Sequence, residues 1–167
     1  MTLRHDAMGA EIALGVLCDF PLLLCLPLPK RLRAGRRLNL FQMTENELAT
    51  TIIGLALKIH KKLGPGLLES AYEECLYFEL VKSGLDVEKQ KGLPLIYEEV
   101  NMDCGYRIDL LINKKVVIEI KSIEALNPVH LAQVLTYLKL SNCKLGLLIN
   151  FNVFLLKNGI KRVANNL

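Results

Sequence analysis

Two short runs of the chain set acids and a lysine at strand spacing. In Tyr106-Arg107-Ile108-Asp109-Leu110-Leu111-Ile112, the residues Ile108, Leu110 and Ile112 alternate with Arg107 and Asp109. In Lys115-Val116-Val117-Ile118-Glu119-Ile120-Lys121, Val116, Ile118 and Ile120 alternate with Glu119 and Lys121. A period of two marks strands with one face on a core. If both apolar faces meet the same core, 112 opposes 116, 110 opposes 118 and 108 opposes 120. Asp109 then stands directly across from Glu119, because a one-residue slip would turn one set of side chains to the wrong face. A two-residue loop would pair 112 with 115, so this register predicts a three-residue or bulged turn through Asn113-Lys114-Lys115.

Carboxylates facing each other on neighbouring strands repel, and a divalent cation removes the repulsion. Hard oxygen donors with few protein contacts suit Mg²⁺, with Mn²⁺ as the alternative, since Mg²⁺ keeps several waters and takes up substrate phosphate oxygens. Lys121 lies on the Glu119 face, where it can orient an attacking water and stabilise charge developing on a phosphate. By spacing alone, Glu119 and Lys121 could equally be an ion pair on a solvated face.

Two further groups accompany them. His130, Gln133 and Tyr137 stand at i, i+3 and i+7 and share one face of a helix, from which Gln133 and Tyr137 can reach a bound phosphate or Lys121. Glu69 opens a second helix in Gly66-Leu67-Leu68-Glu69-Ser70-Ala71-Tyr72, a place where the helix dipole alone favours an acid.

The elements that must position these groups follow from periodicity. Thr44 is an N-cap, with Glu45 and Glu47 in the first turn. Leu48, Ile52, Leu55, Ala56, Ile59 and Leu63 form the 3.6-residue stripe of a helix over 45–63, ended by Gly64-Pro65-Gly66. A second helix runs from about Leu68 to Lys82, with Gly84 as its C-cap. Val87–Lys91 and Leu93–Tyr97 read as strand pieces before a polar turn over 98–103, and the two runs described above supply the next strands. Pro128 opens a third helix ending near Ser141. Leu145–Asn150 and Val153–Leu156 read as short strands, and Asn158-Gly159 as a hairpin turn into Ile160–Val163. Helices and strands in this order make one α/β or α+β layer domain.

The chain has 167 residues, 51% apolar and 23% charged, which excludes a disordered polymer and suits one domain. Five cysteines, at 18, 25, 75, 104 and 143, form an odd set without a C-x-x-C pair. That argues against a disulfide scaffold or zinc knuckle and for a cytoplasmic protein with reduced thiols. The net charge of +4 divides unevenly: residues 1–42 hold six basic and three acidic residues, and 43–167 hold 15 and 14. The larger part therefore shows no global nucleic-acid footprint. The apolar stretch 12–28 is interrupted by Asp19, Pro21 and Pro27 and is too short to cross a membrane. Its basic cluster follows the apolar core rather than preceding it, unlike a secretory signal. We expect 1–42 to be a poorly ordered N-terminal extension, with Met43 as the natural start and 43–167 as the domain.

Taken together, Gly66, Glu69 and Tyr72 resemble the signature of the GxxExxY protein family, a branch of the PD-(D/E)XK nuclease superfamily. Asp109, Glu119-Ile120-Lys121 and Gln133-Val134-Leu135-Thr136-Tyr137 resemble the remaining superfamily motifs, including the Q-x-x-x-Y helix of its exonuclease-like members. Ile108 stands where the motif has proline. The resemblance spans roughly Thr44 to Val163 and implies a restriction-endonuclease-like core, a central mixed sheet flanked by helices. It further implies Mg²⁺ on Asp109 and Glu119 with Glu69 completing the site, Lys121 positioning the nucleophilic water, and Gln133 supporting it. Tyr72, Arg107, His130 and Tyr137 would support the site or touch the substrate. The partner so implied is nucleic acid, DNA in the first place; no membrane is involved, and a homodimer is compatible with the pattern. A protein of this fold that binds nucleic acid or regulates without turnover is the alternative.

Overall fold

The computed structural model describes residues 42–166; the expected extension over 1–42 lies outside the described residues, except for Gln42. Helix α1 (Glu45–Leu63) starts as the sequence dictates. The Thr44 hydroxyl accepts from the Glu47 N–H, and the Glu47 carboxylate accepts from the Thr44 N–H at 2.8 Å, a reciprocal capping box. α1 ends at Gly64, whose φ of 70° suits glycine. Helix α2 (Glu69–Lys82) follows; its cap is Ser83, with Gly84 at φ 88° one residue later.

Strands β1 (Val87–Tyr97) and β2 (Val100–Ile112) form one long antiparallel hairpin. Its turn is Glu98-Glu99, both left-handed at φ 47° and 66°, rather than the longer 98–103 loop, since two left-handed residues suffice to reverse twisted strands. Strand β3 (Val116–Lys121) pairs antiparallel with β2 in the expected register, Leu110 with Ile118 and Ile112 with Val116. Three residues make the turn: Asn113 and Lys114 are left-handed, and the Lys115 N–H donates to the Ile112 carbonyl at 2.9 Å.

Helix α3 (Pro128–Ser141) leads to strand β4 (Leu145–Asn150), parallel to β3. A one-turn helix α4 (Leu156–Gly159) then enters strand β5 (Ile160–Ala164), antiparallel to β4. The sheet is mixed, in the order β1-β2-β3-β4-β5. Here the sequence expectation needs correcting: Val153–Leu156 is not a strand, and Asn158-Gly159 is not a hairpin turn. The Val153 carbonyl is bound to His60 Nε2 of α1 at 2.8 Å. Gly159 lies so close to β4 that a Cβ would fall 2.3 Å from the Asn150 carbonyl oxygen. The glycine serves a close approach of backbones, which a turn-forming dipeptide does not reveal.

The core has two halves. α1 and α2 pack on one side of the sheet against Leu110, Ile112, Val116, Ile118, Ile120, Leu145, Leu147 and Ile149. α3 packs on the other through Val134, Tyr137 and Leu138 against Leu111, Val117 and Leu148. Ile108 joins the α3 half rather than the half that holds Leu110 and Ile112, so the clean alternation expected of 106–112 breaks at Asp109. The cause lies on the partner strand: Gln90 has a left-handed φ of 51°, and the 90/109 pair is missing from a register that is constant from Val87 with Ile112 to Leu93 with Tyr106 and shifts only further out, between Leu93 and Leu95.

Candidate active site

Residues Val116 to Ile120 are all buried, because β3 has a strand on either side and helices over both faces. Glu119 is drawn inward with them and is only 2% exposed. Its Oε1 accepts from Lys121 Nζ at 2.7 Å and from Gln133 Nε2 at 3.0 Å. The Gln133 amide also donates to the Tyr137 hydroxyl at 2.7 Å. The Lys121 and Gln133 bonds to Glu119 end on the same oxygen, and Glu119 Oε2 is buried with no hydrogen-bond partner among the described residues. A buried carboxylate oxygen in that state costs free energy unless something electropositive meets it.

Asp109 stands beside it. The β2–β3 ladder runs as far as Leu110 and Ile118, and beyond it Asp109 Oδ2 accepts the Ile120 N–H at 2.8 Å. The aspartate thus takes a backbone donor at the end of the ladder instead of forming a rung with Glu119. Burial is the main influence raising the Asp109 pKa, with the Glu73 charge adding to it and the Ile120 N–H and Lys121 opposing. Burial, then the Asp109 charge, push Glu119 up to about 7 in spite of Lys121. For Lys121, burial disfavours the ammonium, but the bond to Glu119 and the charges of Glu119, Glu69 and Asp109 outweigh it and raise the pKa. Among the described residues two cations face the carboxylates Asp109, Glu119, Glu69 and Glu73: Lys121 bonded to Glu119, and Lys89 with its Nζ 3.9 Å from Glu73 at the rim.

α2 supplies the rim. Glu69 Oε1 accepts from the Ser122 N–H at 2.9 Å, and the Ser122 hydroxyl donates to the Leu67 carbonyl at 2.6 Å, tying the start of α2 to the end of β3. One turn on, Glu73 accepts from Gln90 Nε2 at 2.7 Å, and the same amide lies 3.4 Å from Asp109 Oδ1. Glu73, Gln90 and Asn150 were not singled out in the sequence. Glu73 carries a legible signal, an acid at i+4 from Glu69 on the same helix face. Gln90 carries none, since its role rests on a backbone kink. Asn150 clamps the chain after β3, accepting from Ile123 N–H and donating to the Ile123 carbonyl at 3.1 and 2.8 Å.

Three of the expected supporting residues have other partners. Tyr72 is fully buried, stacked on Phe151 at 4.3 Å. Its hydroxyl donates to the Gly64 carbonyl and accepts from the Leu67 N–H, so it shapes the loop before α2. His130 Nδ1 accepts from the Asn127 N–H at 3.2 Å as part of the α3 cap. Gln133 bonds Glu119 rather than Lys121, and Tyr137 bonds Gln133. Arg107 is exposed on the β1–β2 hairpin, and among the described residues no ion pair joins it to Asp109 or Glu119.

A family model for the PD-(D/E)XK nuclease superfamily matches residues 46–163. The chain belongs to the PD-(D/E)XK nuclease superfamily. Within that superfamily, nucleases are generally dependent on a divalent metal. No curated protein and no solved structure matches the chain. Among the described residues no group of three or more His, Cys, Asp or Glu is gathered for a metal, and no helix is long and apolar enough to cross a membrane. The residues of this nuclease-superfamily domain nonetheless suit a hard cation: Asp109 and Glu119 offer oxygen donors, and Glu119 Oε2 lacks any other partner.

Proposed function

We propose that the domain hydrolyses phosphodiester bonds of nucleic acid, DNA in the first place, with Mg²⁺ held by Asp109 and Glu119. The observation that carries this is the buried, unpartnered Oε2 of a glutamate pushed up to about 7, beside a second carboxylate and a lysine. Bound there, the cation would supply Lewis-acid stabilisation of phosphate charge and a more acidic water. Lys121 keeps its proton and holds positive charge where the attacking water and the phosphate must meet. Gln133, braced by Tyr137, fixes the Glu119 carboxylate against rotation. Glu69 adds negative charge at the rim and anchors the chain after Lys121. Mn²⁺ is the natural substitute for Mg²⁺.

The spacing of Gly66, Glu69 and Tyr72 supports membership of the GxxExxY branch on physical grounds. Gly66 takes a φ of 103° that other residues rarely adopt. Tyr72 grips the 64–67 backbone, and Glu69 joins that turn to β3. We assign the domain to 43–167 and, given its reduced thiols and lack of a disulfide framework, to the cytoplasm.

The test is Mg²⁺-dependent cleavage of plasmid and single-stranded DNA. Activity should disappear in Lys121→Ala and in Asp109→Ala; equal activity in both variants refutes the mechanism. The near balance of 15 basic and 14 acidic residues in 43–167 favours the second reading, a nucleic-acid-binding protein without turnover. Binding with no cleavage in Mg²⁺ or Mn²⁺ would establish it.

A further inference from the structure

Gln90 lies within an edge strand, yet its φ of 51° is a left-handed backbone that residues with a Cβ seldom adopt. Consecutive strand residues point to opposite faces, but Lys89 and Gln90 both reach α2. Lys89 Nζ is bonded to Glu74 and lies 3.9 Å from Glu73 Oε1, and Gln90 Nε2 donates to Glu73 Oε1 at 2.7 Å. Regular alternation would turn Gln90 away from that helix. Gln90 is exposed, so core packing does not account for the kink. A backbone outlier beside a cluster of chemical groups points to a role in that cluster.

What the kink achieves is to set one nitrogen between two like charges. Gln90 Nε2 also lies 3.4 Å from Asp109 Oδ1, and an amide nitrogen has two hydrogens, one for each acid. The Glu73 charge bears on Asp109, and Glu73 is only 9% exposed, so water screens the pair poorly. Asp109 Oδ2 is taken by the Ile120 N–H, which leaves Oδ1 as the oxygen to meet a cation. At 3.4 Å the amide is long for an N–H···O bond: it orients Oδ1 and yields it readily.

We propose that Gln90 is a positioning residue of the metal site. Anchored on Glu73, its amide offsets the repulsion between Glu73 and Asp109 and holds Asp109 Oδ1 in place for the cation. The proposal rests on the reading of Asp109 and Glu119 as the holders of Mg²⁺, and it acts through Asp109 alone.

The test is calorimetric titration of the full chain with Mg²⁺, without nucleic acid. Gln90→Gly should weaken Mg²⁺ binding about tenfold, as removal of a group that orients a metal ligand does. Glycine accepts the left-handed φ, so the melting temperature in EDTA should stay within a few degrees of the parent's. Gln90→Asn suits the same φ but is one methylene short, and should lose affinity in the same direction. Adding Glu73→Gln to Gln90→Gly should bring the affinity back towards the parent's, because it removes the repelling charge and returns an amide to the side of Asp109. Simple loss of negative charge near a cation would act the other way. In cleavage, Gln90→Gly should need about tenfold more Mg²⁺ for half-maximal rate, with KM for DNA unchanged at saturating Mg²⁺. Parental or tighter Mg²⁺ binding in Gln90→Gly and Gln90→Asn, a further loss on adding Glu73→Gln, or a parent that binds no Mg²⁺ overturns the proposal.

The two readings fail separately. Gln90-dependent Mg²⁺ binding by a parent that cleaves no nucleic acid in any metal would keep the positioning role and sink the nuclease. Lys121-dependent cleavage with parental Mg²⁺ dependence in Gln90→Gly would leave the nuclease and sink the positioning role.

Discussion

Glu119 sits on a strand buried from Val116 to Ile120 and, among the described residues, has one oxygen engaged twice and the other not at all. Its pKa of about 7 makes a pH prediction for the metal-free protein. Between about pH 4.5 and 7, Glu119 is protonated in the folded chain and ionised in the unfolded one. The folded state then binds more protons, so the stability due to this group falls as pH rises. Its full effect is at most about 3 kcal/mol, present below the window and lost above it. Urea unfolding in EDTA at a series of pH values should show that decline, and Glu119→Gln should flatten it; an identical slope in the variant would refute the assignment. The β2–β3 register was legible from alternation as far as Leu110 and Ile118, but the Asp109–Glu119 rung expected next is replaced by the Asp109 bond to the Ile120 N–H. Alternation cannot foresee that Gln90 kinks the neighbouring strand or that Asp109 bonds the Ile120 N–H. The same limit applies to Tyr72 and His130: spacing does not foresee that the Tyr72 hydroxyl holds the 64–67 loop or that His130 Nδ1 closes the α3 cap.

The elements that hold the site were the most legible part, because caps and breakers are local. Thr44 with Glu47, Pro128, and Gly64-Pro65-Gly66 set helix limits that the structure reproduces. The end of the chain was misread because Gly159 is needed for its lack of a side chain against Asn150, a contact between distant elements. Gly146 on β4 is a second such place and bears on function. A Cβ there would stand 2.5 Å from Val134 Cγ1 and 3.4 Å from Leu138 Cδ1 of α3. Valine at 146 must push α3 off the sheet, costing about 1–3 kcal/mol as overpacking does. Gln133 and Tyr137 move with α3, so Gly146→Val should also lose metal affinity and cleavage beyond what its loss of stability explains. Calorimetry and activity well below the melting temperature separate the two effects. Gly54 is the contrast: it is exposed within α1, with nothing within 4 Å of a Cβ. Gly54→Ala should raise stability by about 1 kcal/mol from helix propensity and leave cleavage unchanged.

At the scale of the molecule, the centre lies where three layers converge. β2 and β3 bring Asp109, Glu119 and Lys121; α2 brings Glu69 and Glu73 from one side of the sheet; α3 brings Gln133 and Tyr137 from the other. Excess negative charge at such a junction works against the docking of both helix layers, so a cation there acts on the whole fold. A ligand that binds the folded chain alone stabilises it by about 2.7 kcal/mol at one hundred times its Kd. Mg²⁺ should therefore raise the melting temperature of the parent, and Asp109→Asn should abolish the rise. The cation competes with the proton on Glu119, so the increment should grow as pH goes from 6 to 8. Calorimetric titration of Mg²⁺ in two buffers of different ionisation enthalpy counts the protons released. Close to one proton per Mg²⁺ is expected near pH 6 and almost none at pH 9, where Glu119 is already ionised. A release that does not vary with pH would show that the cation binds elsewhere. A release that persists unchanged in Glu119→Gln would assign the proton to Asp109, whose pKa is raised by the same burial.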